Sequence, residues 1–174
     1  MKVANKITLS GVVSTRLEAS AYLRSAGDAV LVERGAPRLL LLLCPCGCGE
    51  ELAVNLDSRA GPAWRLYRDK KRCISLFPSV WRDSGCRSHF IIWRNRVVLF
   101  GVYDDEIEAD REIMPSLSDA IKKRLPAVGL VSFTDMAIEL DAVPWDVLAA
   151  CRRLVALGAA REGTGGRRSW FGRV

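Results

Sequence analysis

Three cysteines in five residues, Cys44-Pro-Cys46-Gly-Cys48-Gly, directly follow an unbroken run of five leucines, Leu39–Leu43. No other feature restricts this chain as much. A greasy run that ends in alternating thiols and glycines reads as a buried strand delivering a tight, thiol-bearing loop. On a straight strand those thiols would lie some 7 Å apart. That is too far for sulfurs that each sit about 2.3 Å from one zinc. Pro45, Gly47 and Gly49 let the chain curl until the thiols converge. Cys86 can then close the shell from a distant loop. The resulting four-thiolate site (Cys44, Cys46, Cys48, Cys86) would be structural Zn2+, pinning two strand-end loops together. Cysteine is also an ordinary small core residue, but the density of thiols and the interleaved glycines favour ligation. Cys86-Arg-Ser-His89 has a ligand spacing too, so His89 in place of Cys48 remains an alternative.

Composition sets the class. The chain has 174 residues, 49% apolar and 26% charged, which suits a globular protein with enough apolar surface to offset chain entropy. The leucine run is far short of the roughly 20 apolar residues that cross a bilayer, so no membrane role is expected. Thr8, Ser10 and Ser14 follow the N-terminal Met-Lys-Val-Ala-Asn-Lys where a secretory signal would be greasy. A cytoplasmic location is therefore expected, where thiols stay reduced and clustered cysteines read first as metal ligands. The net charge of +6 is unevenly spread. Residues 61–100 carry nine Lys/Arg against two Asp/Glu, residues 101–120 seven Asp/Glu against one Arg, and the last 24 residues six Arg against one Glu. Such blocks suggest separate surfaces for separate partners, acidic protein or nucleic acid.

Hydrophobic periodicity predicts an α+β chain in three parts. Residues 1–103 read as a mostly β zinc-containing domain, with strands at Ala29–Glu33, Leu39–Leu43, Leu52–Leu56, Trp64–Tyr67 and Cys73–Phe77. A further candidate, Phe90–Phe100, is broken near Arg94-Asn95 into a hairpin, and a helix is expected around Leu17–Arg24. Residues 104–128 read as an acidic helical connector interrupted by Pro115. Residues 129–174 form a small unit in which Ser132 caps one helix, Pro144 opens another and Gly158 ends it. A hairpin through Arg167–Phe171 follows. That order resembles a winged helix. Its second helix carries Arg152 and Arg153 but no Asn, Gln or Lys to read bases. Docking another protein, or the rest of its own chain, is the favoured role, with nucleic acid possible but not favoured.

His89 is the only histidine. If four thiols satisfy the metal, its imidazole is free to act as a base for a serine hydroxyl, which becomes a useful nucleophile only with such a base in reach. Ser79, after Leu-Phe-Pro, sits in a turn at a predicted strand end. Ser88 is adjacent to His89 but should point to the opposite face of a strand. Ser75, within a strand, remains possible. Asp57, Asp69 and Asp83 are candidates to orient the imidazole.

Cys44-Pro-Cys46-Gly-Cys48-Gly, Trp64-Arg-Leu, Ser75-Leu-Phe-Pro-Ser79 and Cys86-Arg-Ser-His89-Phe90 occur in that order across residues 38–98. In this the chain resembles a bacterial zinc-containing family associated with ubiquitin-like and E1-like operons, the peptidase component of bacterial ubiquitination-like (Bub) pathways. The resemblance implies a zinc-stabilised serine peptidase that trims a ubiquitin-like protein or detaches it from conjugates. Its partners would be that protein and its E1/E2-like conjugation enzymes. It also implies Cys44, Cys46, Cys48 and Cys86 as the metal site, with Ser79 as nucleophile and His89 as base. Backbone N–H groups of the curled glycine loop are candidate oxyanion donors. The winged-helix-like tail lies outside the resemblance. Two other readings compete. One is a catalytic zinc with an open position, disfavoured because the chain lacks the H-x-E and C-x-x-C signatures of zinc deaminases. The other is a non-enzymatic zinc-stabilised binding adaptor.

Overall fold

The computed structural model describes residues 2–100 and 112–174. The chain divides into two compact units, Met1–Glu106 and Ile107–Val174. In the first unit the elements are β1 (Thr8–Val13), α1 (Arg16–Ser20), β2 (Asp28–Glu33), β3 (Pro37–Leu43), β4 (Glu51–Asn55), β5 (Arg65–Arg68), β6 (Ile74–Trp81), β7 (His89–Trp93) and β8 (Arg96–Leu99). They form two four-stranded sheets, in order β1-β2-β3-β4 and β5-β6-β7-β8. All neighbours are antiparallel except β1 and β2, which run parallel across the α1 crossover.

The leucine run explains why the first sheet is central. Leu40 and Leu42 join Ala29, Leu52 and Val54 from one sheet, and Ile74, Leu76, Val80, Phe90 and Ile92 from the other, in one shared core. Leu41 faces the opposite way and packs with Val30, Val32 and Ala19 of α1. A strand covered on both faces reads as a continuous apolar run rather than an alternating one. Cys44 belongs to the shared core as well, so the metal-ligand candidates begin where the core ends.

Several expectations shift at element ends. α1 stops at Ser20, four residues before the expected Arg24, and the Asp28 carboxylate accepts from the Arg24 and Ser25 N–H groups beyond it. The sixth strand does not end at Phe77. It runs on through Pro78 and Ser79 to Trp81, opened by a bulge: Leu76 pairs with Ile92 and Val80 with Phe90. Two more residues therefore separate the paired positions on β6 than on β7. Proline donates no ladder hydrogen bond and is tolerated at a bulge. The bulge is what sets Ser79 beside the first residue of β7.

The second unit contains α2 (Met114–Arg124), β9 (Val131–Ser132), α3 (Phe133–Glu139), α4 (Pro144–Ala156), β10 (Arg161–Glu162) and β11 (Trp170–Gly172). Pro115 lies in the first turn of α2 instead of interrupting a helix, where its missing N–H costs nothing. Met114, Leu117, Ile121 and Leu125 bring α2 into one core with Met136 of α3, Val147, Cys151 and Leu154 of α4, and Phe171. Ser132 caps α3 by accepting from the Asp135 N–H at 3.1 Å. The three short strands order as β10-β11-β9. The expected helical positions Ile107 and Arg111, and most of the acidic stretch around them, lie outside the described residues. No helix among the described residues is long and apolar enough to cross a membrane.

Candidate functional site

The sulfurs of Cys44, Cys46, Cys48 and Cys86 all lie within 4.8 Å of one another. Gly47 and Gly49 both take φ +84°, the left-handed conformation that curls the loop between β3 and β4. Cys86 arrives from the β6–β7 connection, so each sheet supplies part of the cluster. Cys44 Sγ is 3.3 Å from Cys46 Sγ and 3.8 Å from Cys86 Sγ. A tetrahedral ion with sulfurs at about 2.3 Å spaces them roughly 3.8 Å apart. The donor set is therefore the right size and softness for a tetrahedral cation. Cys73 and Cys151 take no part in it.

Polar neighbours complete the cluster. The Ser88 hydroxyl lies 3.3 Å from both Cys44 Sγ and Cys86 Sγ. The Arg82 guanidinium donates to Cys86 Sγ at 3.3 Å and is ion-paired with Glu50. That pairing holds the Glu50 carboxyl below its usual range. Burial opposes ionisation of Cys86, but the Ser88 hydroxyl and backbone, followed by the neighbouring thiols, outweigh it and bring Cys86 down to about 6. Burial, helped by the hydrogen bond with Cys44, pushes Cys46 up, and burial raises Cys48. The thiols differ because burial prevails at Cys46 and Cys48 while hydrogen bonds from Ser88 prevail at Cys86. A divalent cation would offset that burial cost and release the remaining protons on binding.

Three residues beyond Cys86, the His89 Nε2 atom lies 3.0 Å from Ser79 Oγ. This is within the reach a base needs to take a hydroxyl proton. The geometry follows from the register. Trp81 pairs with His89 at the first position of the β6–β7 ladder, and the bulge returns Ser79 toward that same ring. Trp64 steadies the bulge by donating its indole N–H to the Ser79 carbonyl at 3.2 Å. The imidazole is bracketed by two aromatic rings, Phe100 with centroids 4.3 Å apart and Trp81 at 5.5 Å. Both are exposed, Trp81 to 74% and Phe100 to 50%.

The other residues singled out in the sequence lie elsewhere. Ser75 Oγ is buried and accepts from the Arg94 N–H at 3.0 Å. Ser88 serves the sulfurs. Asp57 holds Arg38 and Arg59. Asp69 accepts from the Cys73 N–H at 2.8 Å and pairs with Arg94 at 3.5 Å. Among the described residues no carboxylate, Asp83 included, is hydrogen-bonded to His89. The Gly47 N–H, an expected oxyanion donor, is instead bonded to the Cys44 carbonyl at 3.1 Å. Sequence reasoning missed the aromatic bracket. Its signal was Trp81 itself, a large apolar residue beyond the expected strand end, which becomes the cross-strand partner of His89 once β6 is extended.

Residues 15–100 match the family model described as "Bacterial ubiquitination-like system serine protease (BubE)". The match contains all four clustered cysteines, Ser79, His89, Trp81 and Phe100. No curated protein and no solved structure matches the chain.

Proposed function

We propose that this chain, which through residues 15–100 belongs to the BubE family of serine proteases, is a zinc-stabilised Ser/His peptidase acting on a bacterial ubiquitin-like protein. The observation that carries the reading is the 3.0 Å approach of Ser79 Oγ to His89 Nε2 inside the matched segment. With its proton on Nδ1, the imidazole accepts the Ser79 hydroxyl proton at Nε2 while Oγ attacks the scissile carbonyl carbon. The imidazolium returns that proton to the departing amine as the carbon–nitrogen bond breaks. Water, deprotonated by the same nitrogen, then cleaves the acyl-serine ester, giving a free carboxylate and restoring Ser79. Cys44, Cys46, Cys48 and Cys86 would hold Zn2+ through four thiolates and so fix the loops, leaving the chemistry to Ser79 and His89.

Trp81 and Phe100 stack on the His89 ring and restrict how it turns. Stacked aromatic pairs contribute about 0.5–1.5 kcal/mol beyond burial, so Trp81→Ala is expected to lower kcat by about three- to tenfold with KM nearly unchanged. Trp81→Phe is expected to restore most of the loss, and a rise in KM alone would assign Trp81 to substrate binding instead.

The second unit is read as a winged helix. The order α2-β9-α3-α4-β10-β11 and the sheet order β10-β11-β9 support that topology. Its role is to dock partners within the conjugation system, in the cytoplasm. The peptidase reading is tested with a fluorophosphonate probe, which captures serines activated by a base. Peptide mapping is expected to find the adduct on Ser79, absent from Ser79→Ala and His89→Ala. An adduct on Ser75 or Ser88, or none, overturns the assignment.

A further inference from the structure

A cleft of about 490 Å³ opens in the first unit between Leu9, Ser10, Gly11 and Val12 of β1 on one side and Arg68 and Arg72 on the other. β1 and β5 are each the edge strand of their sheet. The floor is apolar: Leu9 packs against the shared core, and Val12 is 55% exposed. The rim is cationic. Arg68 and Arg72 have no ion-pair partner among the described residues, and the one acid between them, Asp69, is already engaged by Arg94 and the Cys73 N–H.

The edges differ in a way that matters. β1 is bulged between Leu9 and Gly11, a device that spoils an edge for pairing. β5 keeps an unbroken register with β6 from Arg68↔Ile74 to Arg65↔Phe77. Its outer side has no ladder partner among the described residues. The start of β5 abuts the dyad: Arg65 pairs two residues before Ser79, and the preceding Trp64 donates to the Ser79 carbonyl. That end of the outer side is taken, since the Trp64 N–H donates to the Asn55 carbonyl at the end of β4 at 2.8 Å. The open stretch is Leu66 to Arg68, beside the cationic cleft.

We propose that the cleft and the adjoining outer edge of β5 at Leu66 to Arg68 bind an extended acidic peptide segment, its carboxylates against Arg68 and Arg72. This docking does not require cleavage and stands apart from the Ser79–His89 reading. An added strand gains main-chain hydrogen bonds from an open edge and takes its specificity from side-chain pockets. Arginine suits the second task, since its guanidinium pairs carboxylates bidentately. A nucleic-acid strand matches the charge of the rim but leaves the peptide edge unpaired.

The test uses the full chain carrying Ser79→Ala and a fluorescein-labelled twelve-residue peptide with Glu at alternate positions, followed by anisotropy. Binding is expected to weaken by about tenfold or more in each of three changes: Glu→Gln in the peptide, Arg68→Glu with Arg72→Glu in the protein, and a rise from low salt to about 0.5 M. Arg68→Lys with Arg72→Lys is expected to bind between the parent and the charge-reversed chain, since the charge remains but the bidentate fork is lost. Equal binding of the Glu peptide by the charge-reversed chain overturns the proposal. So does tighter binding of a single-stranded oligonucleotide that is lost with the same variants, which assigns the rim to nucleic acid. Fluorophosphonate labelling of the chain with Ser79 intact reports separately on the hydrolase. If labelling fails and peptide binding survives, the peptidase reading falls alone; if labelling survives and the charge-reversed chain still binds the peptide, only the docking falls.

Discussion

Ser79→Ala is expected to lower the cleavage rate of a reporter fused to the C-terminus of the cognate ubiquitin-like protein by at least ~10^3-fold. His89→Ala is expected to cost about 10^2- to 10^4-fold, the range of a general base. The two groups act as one unit, so the double variant should be scarcely worse than the more damaging single. Neither substitution removes core packing, because Ser79 and His89 are both only half-buried. Melting temperature and metal content should therefore hold while activity disappears. Ser75→Ala provides the contrast. Its hydroxyl is buried and satisfies the Arg94 N–H, so its loss is expected to cost about 1–3 kcal/mol of stability by leaving that donor unpaired. Cleavage by the folded Ser75→Ala chain should be unaltered. Activity within tenfold of the parent in Ser79→Ala would remove the serine from the mechanism.

The thiol loop is the part of the site most legible from the amino-acid order, for a local reason. Three donors within five residues, separated by proline and glycine, can converge without help from distant segments, and the loop does curl at Gly47 and Gly49. Partnership between Ser79 and His89 was conceivable from residue types but not derivable. It depends on a register two residues out of step between β6 and β7, and period-two reading stops at Pro78. The same break hid Trp81. β1 went unread because Thr8–Val13 alternates only between exposed and half-buried positions, and its parallel pairing with β2 comes from outside the segment. In the second unit the α2 stripe was readable at Leu117, Ile121 and Leu125, but its place in a core with α4 and Phe171 is a tertiary fact. β9, two residues long, carries almost no pattern.

Stripping bound metal, or replacing Cys86 with Ser, is expected to remove one equivalent of zinc and at least ~10^2-fold of cleavage, although the four thiols are not part of the Ser79–His89 pair. The reason lies in how the cluster is tethered. Cys44, Cys46 and Cys48 leave the first sheet, and Cys86 sits in the seven-residue connection between Trp81 and His89 of the second. One ion would thus fix the connection whose two ends carry the imidazole and the ring stacked on it. Without the ion, four thiols and the Arg82–Glu50 pair must hold that connection alone. An exposed ion pair contributes no more than about 1 kcal/mol, whereas structural zinc in small domains contributes on the order of 10 kcal/mol. The shared core meets the cluster at Cys44, Cys46 and Cys86 but extends well beyond it through Leu40, Leu42, Leu76, Phe90 and Ile92. Far-UV circular dichroism should therefore persist while the melting temperature falls by more than about 15 °C, given roughly 4–8 °C per kcal/mol for a unit of this size. Cys73→Ser, whose thiol lies outside the cluster, should keep full zinc and full rate. Re-adding zinc to the stripped parent should restore cleavage, and Cys86→Ser should not respond. A stripped chain that cleaves at the parent rate would mean that the strand ladder alone, beginning at Trp81 and His89, is enough to aim the imidazole at Ser79.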